Sequence, residues 1–232
     1  MKKTALTLLF ISIIHLVIFS QNEKQNPYHL KIISTVAAYK DECQKDKQNQ
    51  LIDLEEAVPA IRMDIRYATD NNFTHKKVYS TAKAFLRQPA AAALARVQKE
   101  LEKEGIGIKV YDAYRPYAAT MLFYDLIKDT LFVASPVKGS RHNRGCAVDL
   151  TLVNLKTGAE LEMPTGYDDF SERASPTYND LPVIAKENRK RLIDVMKKQG
   201  FEVYGSEWWH FDFNGWQAYS LMDISFEELQ TP

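Results

Sequence analysis

Two short segments of the chain combine the side chains that metal-assisted hydrolysis needs. SRHNRGCAVDLTL at residues 140–152 and EWWHF at residues 207–211 together carry two histidines, one aspartate and one glutamate that could act at one centre. A catalytic zinc is usually held by three neutral or anionic side chains, which leaves a fourth position for a water molecule and lowers its pKa to roughly 7. The two segments therefore indicate a metal-dependent hydrolase with its own general base.

The spacing within the first segment requires a turn. His142 and Asp149 are seven positions apart, so they would face opposite sides of one uninterrupted strand. The Asn-Arg-Gly sequence at 143–145 supplies the turn, which lets His142 project from a loop and Asp149 from the strand that follows. Ser140 could donate a hydrogen bond to a substrate or order this loop. Alone, such a His–Asp pair is a weak signal, because a capping aspartate near a surface histidine gives the same pattern.

The second segment strengthens the metal-site interpretation. Glu207 and His210 flank two tryptophans, which could keep water out of a site or simply pack in the core. Glu207 suits a general base that takes a proton from water and passes it to a leaving amine, with a surface ion pair as the alternative. Arg115 ends a β-branched run, where its guanidinium could stabilise an oxyanion or form a structural ion pair.

Hydrophobic periodicity predicts strands and helices in mixed order. The most evident helix is PAAAALARVQKELEKE at residues 89–104, which has proline in its first turn and Gly105 after its end. Further predicted elements are helices at 117–129 and 184–199 and strands at 60–67, 106–114, 146–153, 201–204 and 208–213. Without a regular βαβ rhythm, this order predicts a single compact α+β domain with a central antiparallel sheet flanked by helices.

The start of the chain is predicted to lie outside this domain. Residues 1–20 have a charged start and an apolar run, the pattern of a secretory signal peptide, with an uncleaved membrane anchor as the alternative. Residues 21–50 are rich in Lys, Gln and Asn and are predicted to be a polar lead-in, so that the domain spans 51–232. We expect export, with the periplasm as the favoured compartment, and no stable membrane insertion once the signal is cleaved.

Charge and cysteine content narrow the function classes. Lys and Arg total 30 and Asp and Glu total 30, which gives a formal net charge of +0. The sequence therefore lacks the basic excess that is typical of nucleic-acid-binding proteins. Cys43 and Cys146 could pair in an oxidising compartment, but a bridge would constrain the segment that carries the metal-site residues. Cys146 is therefore expected to be a small buried residue rather than half of a disulfide.

The metal-site motifs resemble those of a known family. Ser-x-His-x2-Gly-x-Ala-x-Asp at residues 140–149 and Glu-Trp-Trp-His at 207–210 are similar to the zinc D-alanyl-D-alanine dipeptidases associated with vancomycin resistance. The resemblance covers most of residues 51–213 and extends to RYATDNNFT at 66–74, DAYRP at 112–116, VDLTL at 148–152, MPTGYDDF at 163–170 and NRKRL at 188–192.

This resemblance implies a role for each candidate in the two segments. His142, Asp149 and His210 would bind one Zn²⁺ per chain. Glu207 would be the general base, and Arg115 would stabilise the tetrahedral transition state. The implied fold is that of the D-Ala-D-Ala peptidases, which is also called the hedgehog-like zinc peptidase fold, and the implied substrate is the D-alanyl-D-alanine dipeptide.

Substrate recognition is implied by the same comparison. The family holds the free ammonium of its dipeptide with an acidic residue in the segment matching MPTGYDDF, where Asp168 is the best match and a solvated turn is the alternative. A buried carboxylate there would reject longer peptides, because their amide nitrogen carries no compensating charge. Ser140 is the second expected substrate contact.

Two features depart from the family pattern. The predicted export signal would keep the enzyme from the cytoplasmic dipeptide pool, which points to salvage of D-Ala-D-Ala released from the cell wall. Cys146 stands in place of a small hydroxyl residue, and a thiol near zinc could become a stray ligand.

Two other functions remain compatible with a zinc site of this kind. A D,D-carboxypeptidase or endopeptidase acting on peptidoglycan stem peptides would share the metal and the base but needs an open groove, which the EWWH and MPTGYDDF segments disfavour. A non-catalytic zinc-bearing binding domain would need neither Glu207 nor Arg115, so the presence of both disfavours that function.

Overall fold

The computed structural model describes residues 26–130 and 133–230. Its strands are β1 (Ile32–Ile33), β2 (Leu51–Asp53), β3 (Arg62–Met63), β4 (Phe85–Arg87), β5 (Ile106–Asp112), β6 (Ala147–Asn154), β7 (Phe201–Tyr204), β8 (Glu207–Phe213) and β9 (Leu221–Met222). Its α-helices are α1 (Val36–Lys45), α2 (Leu54–Ala57), α3 (Gln88–Leu101), α4 (Tyr117–Ile127), α5 (Val183–Lys198) and α6 (Phe226–Gln230). The predicted signal peptide at 1–20 lies outside the described residues. Among the described helices, none has the length and apolar character to cross a membrane.

A five-stranded sheet in the order β3-β5-β6-β8-β7 forms the centre of the fold. The last four strands pair antiparallel, as the sequence predicts, whereas β3 pairs parallel with β5. A parallel pair needs a crossover connection, which β4 and α3 provide between these strands. The predicted strand at 60–67 is reduced to β3, because the chain turns into a 3₁₀ helix at Arg66–Ala68. Two small sheets, β1 with β9 and β2 with β4, complete the α+β domain.

Helices α3 and α5 pack against each other and against the central sheet. Helix α3 forms because alanine and other strong helix formers follow a proline in its first turn. The chain continues as a 3₁₀ helix to Glu104, and Gly105 then ends the helical segment with a positive φ of 70°. The core between helices and sheet includes the fully buried Leu94, Val97, Ile108, Val110, Leu150, Leu152, Leu192 and Met196.

The segment predicted to be a polar lead-in contains β1 and α1, so regular structure is present before Leu51. Strand β1 pairs with β9, and Tyr39 on α1 packs against the core while its hydroxyl accepts a hydrogen bond of 2.7 Å from the Leu51 N–H. No residue of α1 is fully buried, which leaves it without the apolar stripe by which a sequence reveals a helix. The fixing contacts come from distant parts of the chain, and composition cannot show them.

The register of the central sheet places three polar residues side by side. Asp149 on β6 pairs with His210 on β8 and, on its other side, with Asp112 on β5. A register shift between Val110 and Asp112 is what turns Asp112 towards the Asp149 side, because a β-bulge changes the face that the following residue presents. The sheet therefore builds a polar row across its centre.

The two cysteines lie apart from this row. Cys146 is fully buried, as expected of a small core residue, and Cys43 on α1 is partly exposed. Both are free thiols.

Candidate metal centre and active site

Three predicted ligands converge on one point. His142 Nε2 lies 3.2 Å from His210 Nδ1 and 3.4 Å from Asp149 Oδ1, and the latter two atoms are 3.0 Å apart. All three side chains are buried. Tetrahedral ligands at the usual zinc distances lie about 3.3 Å from one another. The triangle therefore has the dimensions of three zinc ligands on one side of a tetrahedron.

The remaining ring nitrogens of both histidines are occupied by acceptors. His142 Nδ1 lies 2.6 Å from the carbonyl oxygen of Ala113, and His210 Nε2 lies 3.0 Å from Asp212 Oδ1. In a neutral ring, the nitrogen that faces an acceptor carries the proton, which leaves the lone pairs of His142 Nε2 and His210 Nδ1 directed into the triangle. Outer contacts of this kind fix the tautomer of metal-binding histidines.

The electrostatics of the triangle also fit a cation. Asp149 Oδ1 is buried, and with both histidine rings neutral it has no hydrogen-bond donor within the described structure. Burial would raise the pKa of Asp149, but the facing His142 and His210 hold it well below its usual range. Burial would lower the pKa of His210, but Asp149 and Asp212 raise it well above its usual range. A bound cation would take the place of the proton that His210 otherwise shares with Asp149.

Local backbone structure brings His142 to this triangle. His142 begins a 3₁₀ turn that ends at Gly145, whose φ is 68°. The positive φ favours glycine at this position, and a Cβ there would lie 2.6 Å from Leu51 Cδ2 and push that side chain aside. The Arg115 N–H donates to the carbonyl of His142, and Asn143 Nδ2 donates to the carbonyl of Arg115, which joins the turn to the strand-to-helix junction. The predicted turn is thus present, and two hydrogen bonds join it to Arg115.

Glu207 begins β8 and reaches the same centre. Its Oε2 lies 3.8 Å from His210 Nδ1, although residues three apart on a regular strand face opposite sides. The register shift between Val203 and Tyr204, which pairs Tyr204 with Glu207, interrupts the regular alternation at this end of β8. Burial raises the pKa of Glu207 to about 7. A carboxyl group with this proton affinity can both accept and release a proton near neutral pH.

Arg115 is buried at the side of the triangle and is rigidly held. Its Nε and Nη2 donate to Asp112 Oδ2 at 2.9 and 2.8 Å, and Nη2 lies 3.9 Å from Asp149 Oδ2. Its guanidinium carbon lies 4.9 Å from the centre of the Phe123 ring and 5.5 Å from that of Tyr67. These contacts fix a cation beside the predicted ligands.

Asp168 and Ser140 lie at the wall of the same site. Asp168 has a left-handed backbone with φ of 59°, and the Tyr67 hydroxyl contacts both carboxylate oxygens at 3.1 and 3.2 Å. Burial, reinforced by the negative charge of Asp149, raises the pKa of Asp168 well above its usual range. The Ser140 hydroxyl oxygen accepts a hydrogen bond from the His142 N–H at 3.1 Å, so it orders the loop, one of the two roles expected for it.

These side chains surround one cavity of about 350 Å³, near the lower limit for small-ligand sites. The structure brings all seven predicted site residues to its lining: Arg115, Ser140, His142, Asp149, Asp168, Glu207 and His210. Aromatic rings of Tyr67, Phe73, Phe123, Phe170 and Trp209 make up much of the remaining wall. The arrangement combines three side chains that could hold a metal ion with a buried carboxyl group whose pKa lies near neutrality, a fixed guanidinium and a separate carboxyl group.

Comparison with known proteins agrees with this geometry. The model of the D-Ala-D-Ala dipeptidase family matches residues 47–229. The chain belongs to that family. The D-Ala-D-Ala dipeptidases are zinc metallopeptidases, and the three converging ligands suit the metal that this family uses.

Individual members of the dipeptidase family match over most of their length. The D-alanyl-D-alanine dipeptidase of Escherichia coli strain K12 is 33% identical over 183 residues, which cover 79% of this chain and 94% of that protein. The D-alanyl-D-alanine dipeptidase of Enterococcus faecium is 32% identical over 178 residues, which cover 68% of this chain and 88% of that protein. Among solved structures, the LdcB LD-carboxypeptidase aligns over 58% of this chain and 61% of its own, with 24% identity and a TM-score of 0.39.

Several residues around the dipeptidase site were missed by sequence reasoning. Asp112 holds Arg115, Asp212 holds His210, and the Tyr167 hydroxyl donates to Asp149 Oδ2 at 3.0 Å. Asp112 and Tyr167 lie in the DAYRP and MPTGYDDF motifs, but the motifs do not show that these residues contact Arg115 and Asp149. Asp212 is two residues after His210 on one strand, and this i, i+2 spacing is the signal that could have revealed it.

Proposed function

We propose that this chain hydrolyses the D-alanyl-D-alanine dipeptide to two D-alanines, with one zinc ion bound by His142, Asp149 and His210. The observation that carries the proposal is the triangle of 3.0–3.4 Å between the three ligand atoms, with both histidine tautomers set by outer acceptors. Membership of the dipeptidase family supports the reaction, and the E. coli and E. faecium relatives are named for this activity.

Glu207 is proposed to carry the proton through the reaction. When bound, zinc supplies Lewis acidity, which strengthens water as a nucleophile and polarises a peptide carbonyl. Glu207 Oε2, 3.8 Å from His210 Nδ1, is close enough to the ligands to accept the proton that the attacking water loses. The same carboxyl group can then protonate the departing amine, because its proton affinity lies near neutrality.

Arg115 is proposed to stabilise the negative charge that develops on the carbonyl oxygen. The guanidinium is pre-positioned by Asp112 and by the rings of Tyr67 and Phe123, so it need not reorganise during the reaction. Its burial strengthens its interaction with a nearby oxyanion, because solvent screening is weak there. Arg115 thus complements Glu207 on the reacting amide.

Asp168 is proposed to bind the free ammonium of the dipeptide. Its carboxyl group lines the cavity and contacts the Tyr67 hydroxyl, and its pKa is raised by burial and by the nearby Asp149. A substrate ammonium would supply a compensating positive charge, whereas an internal peptide nitrogen would not. This selects dipeptides over longer stem peptides. The Ser140 hydroxyl, on the same cavity wall, is proposed as a second substrate contact.

We also propose that the enzyme is exported, on the basis of the signal-like sequence of residues 1–20. An exported dipeptidase would act on D-Ala-D-Ala released during cell-wall turnover. Expression of the full chain in a Gram-negative host, followed by separation of periplasm, cytoplasm and membrane, would test this. Activity confined to the cytoplasmic fraction would contradict the proposal, and activity held in the membrane would indicate an uncleaved anchor.

The test of the enzymatic function is release of D-alanine by the purified chain. The zinc-loaded enzyme is incubated with D-Ala-D-Ala or with a pentapeptide ending in D-Ala-D-Ala, and a chelator-treated sample serves as control. Turnover of the dipeptide alone is the expected result. Cleavage of the pentapeptide would instead identify a D,D-carboxypeptidase, and bound zinc without cleavage of either would favour a binding domain.

A further inference from the structure

Two cationic side chains of the cavity have no role in the proposed mechanism. Lys138 and Arg141 line the cavity on the segment that leads into the His142 turn. Asp168 lines it from a separate segment, 163–170. The cavity therefore has an anionic contributor and a cationic pair on different parts of the chain.

Arg141 is held in place without using its hydrogen-bonding capacity. Its guanidinium carbon lies 4.9 Å from the centre of the Trp216 ring and 5.7 Å from that of Tyr204. Its Nε is 3.4 Å from Asp212 Oδ2, yet within the described structure this buried nitrogen has no hydrogen-bond partner. The side chain is 38% exposed and lines the cavity, so a ligand in the cavity can reach it. Ring contacts and one ion pair orient the group while its donors remain available.

We propose that Arg141, assisted by Lys138, binds the C-terminal carboxylate of the substrate. This inference rests on the proposed dipeptidase function and adds a second determinant of its specificity. A guanidinium presents paired N–H donors that match the two oxygens of a carboxylate, whereas the Lys138 ammonium adds a less directional charge. Two residues of extended peptide span at most about 7 Å, so one small cavity can hold both ends of a dipeptide.

The consequence is recognition of a zwitterion. Asp168 would select for a free amino end and Arg141 for a free carboxyl end, with the scissile amide between them at the metal ligands. A peptide extended at either end would lose one charged contact and leave the protein group without its partner. The pair of contacts explains selection for a dipeptide more fully than Asp168 does alone.

The experiment compares two substrates and two proteins. Wild type and Arg141→Gln are assayed with D-Ala-D-Ala and with its C-terminal amide, which keeps the ammonium and the scissile bond but lacks the carboxylate. We expect Arg141→Gln to lower kcat/KM for the free acid about 10- to 100-fold, chiefly through KM, as for loss of a charge-assisted hydrogen bond. Hydrolysis of the amide should be the same for both proteins. If the amide is cleaved too slowly to measure, its inhibition constant against the dipeptide is compared instead.

A matched control is available on the surface. Arg191 pairs with Glu104 at 3.3 Å and is 44% exposed, which resembles the Arg141–Asp212 pair at 3.4 Å and 38%. Arg191→Gln should leave both substrates unaffected, and Lys138→Gln should cause a smaller loss on the free acid than Arg141→Gln.

Three outcomes would overturn the proposal. Equal losses on acid and amide, with reduced zinc content, would show that Arg141 acts through Asp212 and His210. Unchanged kinetics on both would remove Arg141 from substrate recognition. If zinc-loaded wild type cleaved no dipeptide, the proposed function would fail and this inference with it, whereas dipeptide cleavage without discrimination by Arg141 would refute this inference alone.

Discussion

The Asp112–Arg115 pair allows a quantitative prediction of stability. Asp112 is 1% exposed, and its carboxylate accepts hydrogen bonds from the Tyr79 hydroxyl at 3.0 Å, the Ala113 N–H at 2.9 Å and two guanidinium nitrogens of Arg115 at 2.8 and 2.9 Å. Asp112→Asn keeps the shape but leaves the buried Arg115 cation without its main counter-charge. Removing one partner of such a buried pair costs about 3–5 kcal/mol.

Thermal unfolding of the metal-free protein measures this cost without the contribution of bound zinc. For a domain of this size each kcal/mol lowers Tm by about 2–4 °C, so Asp112→Asn should lower Tm by roughly 6–20 °C. Asp53→Asn is the matched control. Asp53 pairs with Lys83 at 2.9 Å but also caps α2 through its side chain, and asparagine can still make that cap. Its Tm should fall by no more than about 4 °C, as expected of a partly exposed pair worth at most about 1 kcal/mol.

The result that would refute the reasoning is a similar, small fall in Tm for both variants. It would mean that Asp149, whose Oδ2 lies 3.9 Å from Arg115 Nη2, can compensate the guanidinium when Asp112 is neutral. The Asp112–Arg115 ion pair would then orient the Arg115 guanidinium without contributing several kcal/mol to the free energy of unfolding.

Further predictions concern the metal and the reaction. Glu207→Ala should retain zinc, measured by elemental analysis, but lose about 10²- to 10⁴-fold in kcat, because it removes the proton acceptor and no ligand; near-normal turnover would contradict this. His142→Ala should lose both bound zinc and turnover, and full zinc occupancy after dialysis would show that it is not a ligand. Asp212→Ala should weaken zinc binding about 10- to 100-fold in competition with a chelator, because it frees the His210 ring; unchanged affinity would exclude this support. Asp168→Asn should raise KM for D-Ala-D-Ala with zinc content unchanged, and an unaltered KM would remove it from ammonium binding.

The sequence was sufficient to predict the elements whose signals are local. Helix α3 has its alanines, proline and terminal glycine within one window, and β6 follows a recognisable turn at 143–145. Bringing His142, Asp149 and His210 together needed only that β6 and β8 be neighbours in an antiparallel sheet. The motifs of the dipeptidase family implied that the three residues bind one metal, which requires these two strands to lie close together.

The features that escaped prediction depend on contacts across the chain. The bulge that turns Asp112 towards Asp149 is a property of how β5 pairs with β6, and neither strand shows it alone. The order of residues 32–49 depends on β9 and on the Tyr39 hydroxyl, which lies against Leu51. The composition of that segment shows only that it is polar, whereas its conformation is held by contacts with residues far away in the sequence.

The charges around the cavity show how metal and substrate would act together. In the described part of the chain, the site and its immediate contacts contain the carboxylates of Asp112, Asp149, Asp168, Glu207 and Asp212. The permanent cations, buried or half-buried, that face them are the guanidinium groups of Arg115 and Arg141, and without a metal the protonated His210 adds one more positive charge. This excess of negative charge, added to the effect of burial, keeps the pKa values of Asp168 and Glu207 high.

A divalent cation would remove most of that excess, and the ammonium of the dipeptide would balance the remaining carboxylate. Zinc binding should therefore lower the pKa of Glu207 and Asp168, so that Glu207 is ionised, and free to accept a proton, at neutral pH once the metal is in place. An N-acylated dipeptide brings no charge to Asp168 and leaves a desolvated carboxylate uncompensated. On this argument the buried anions of the fold are a cause of substrate selection, since each must find a cation before the reaction can proceed.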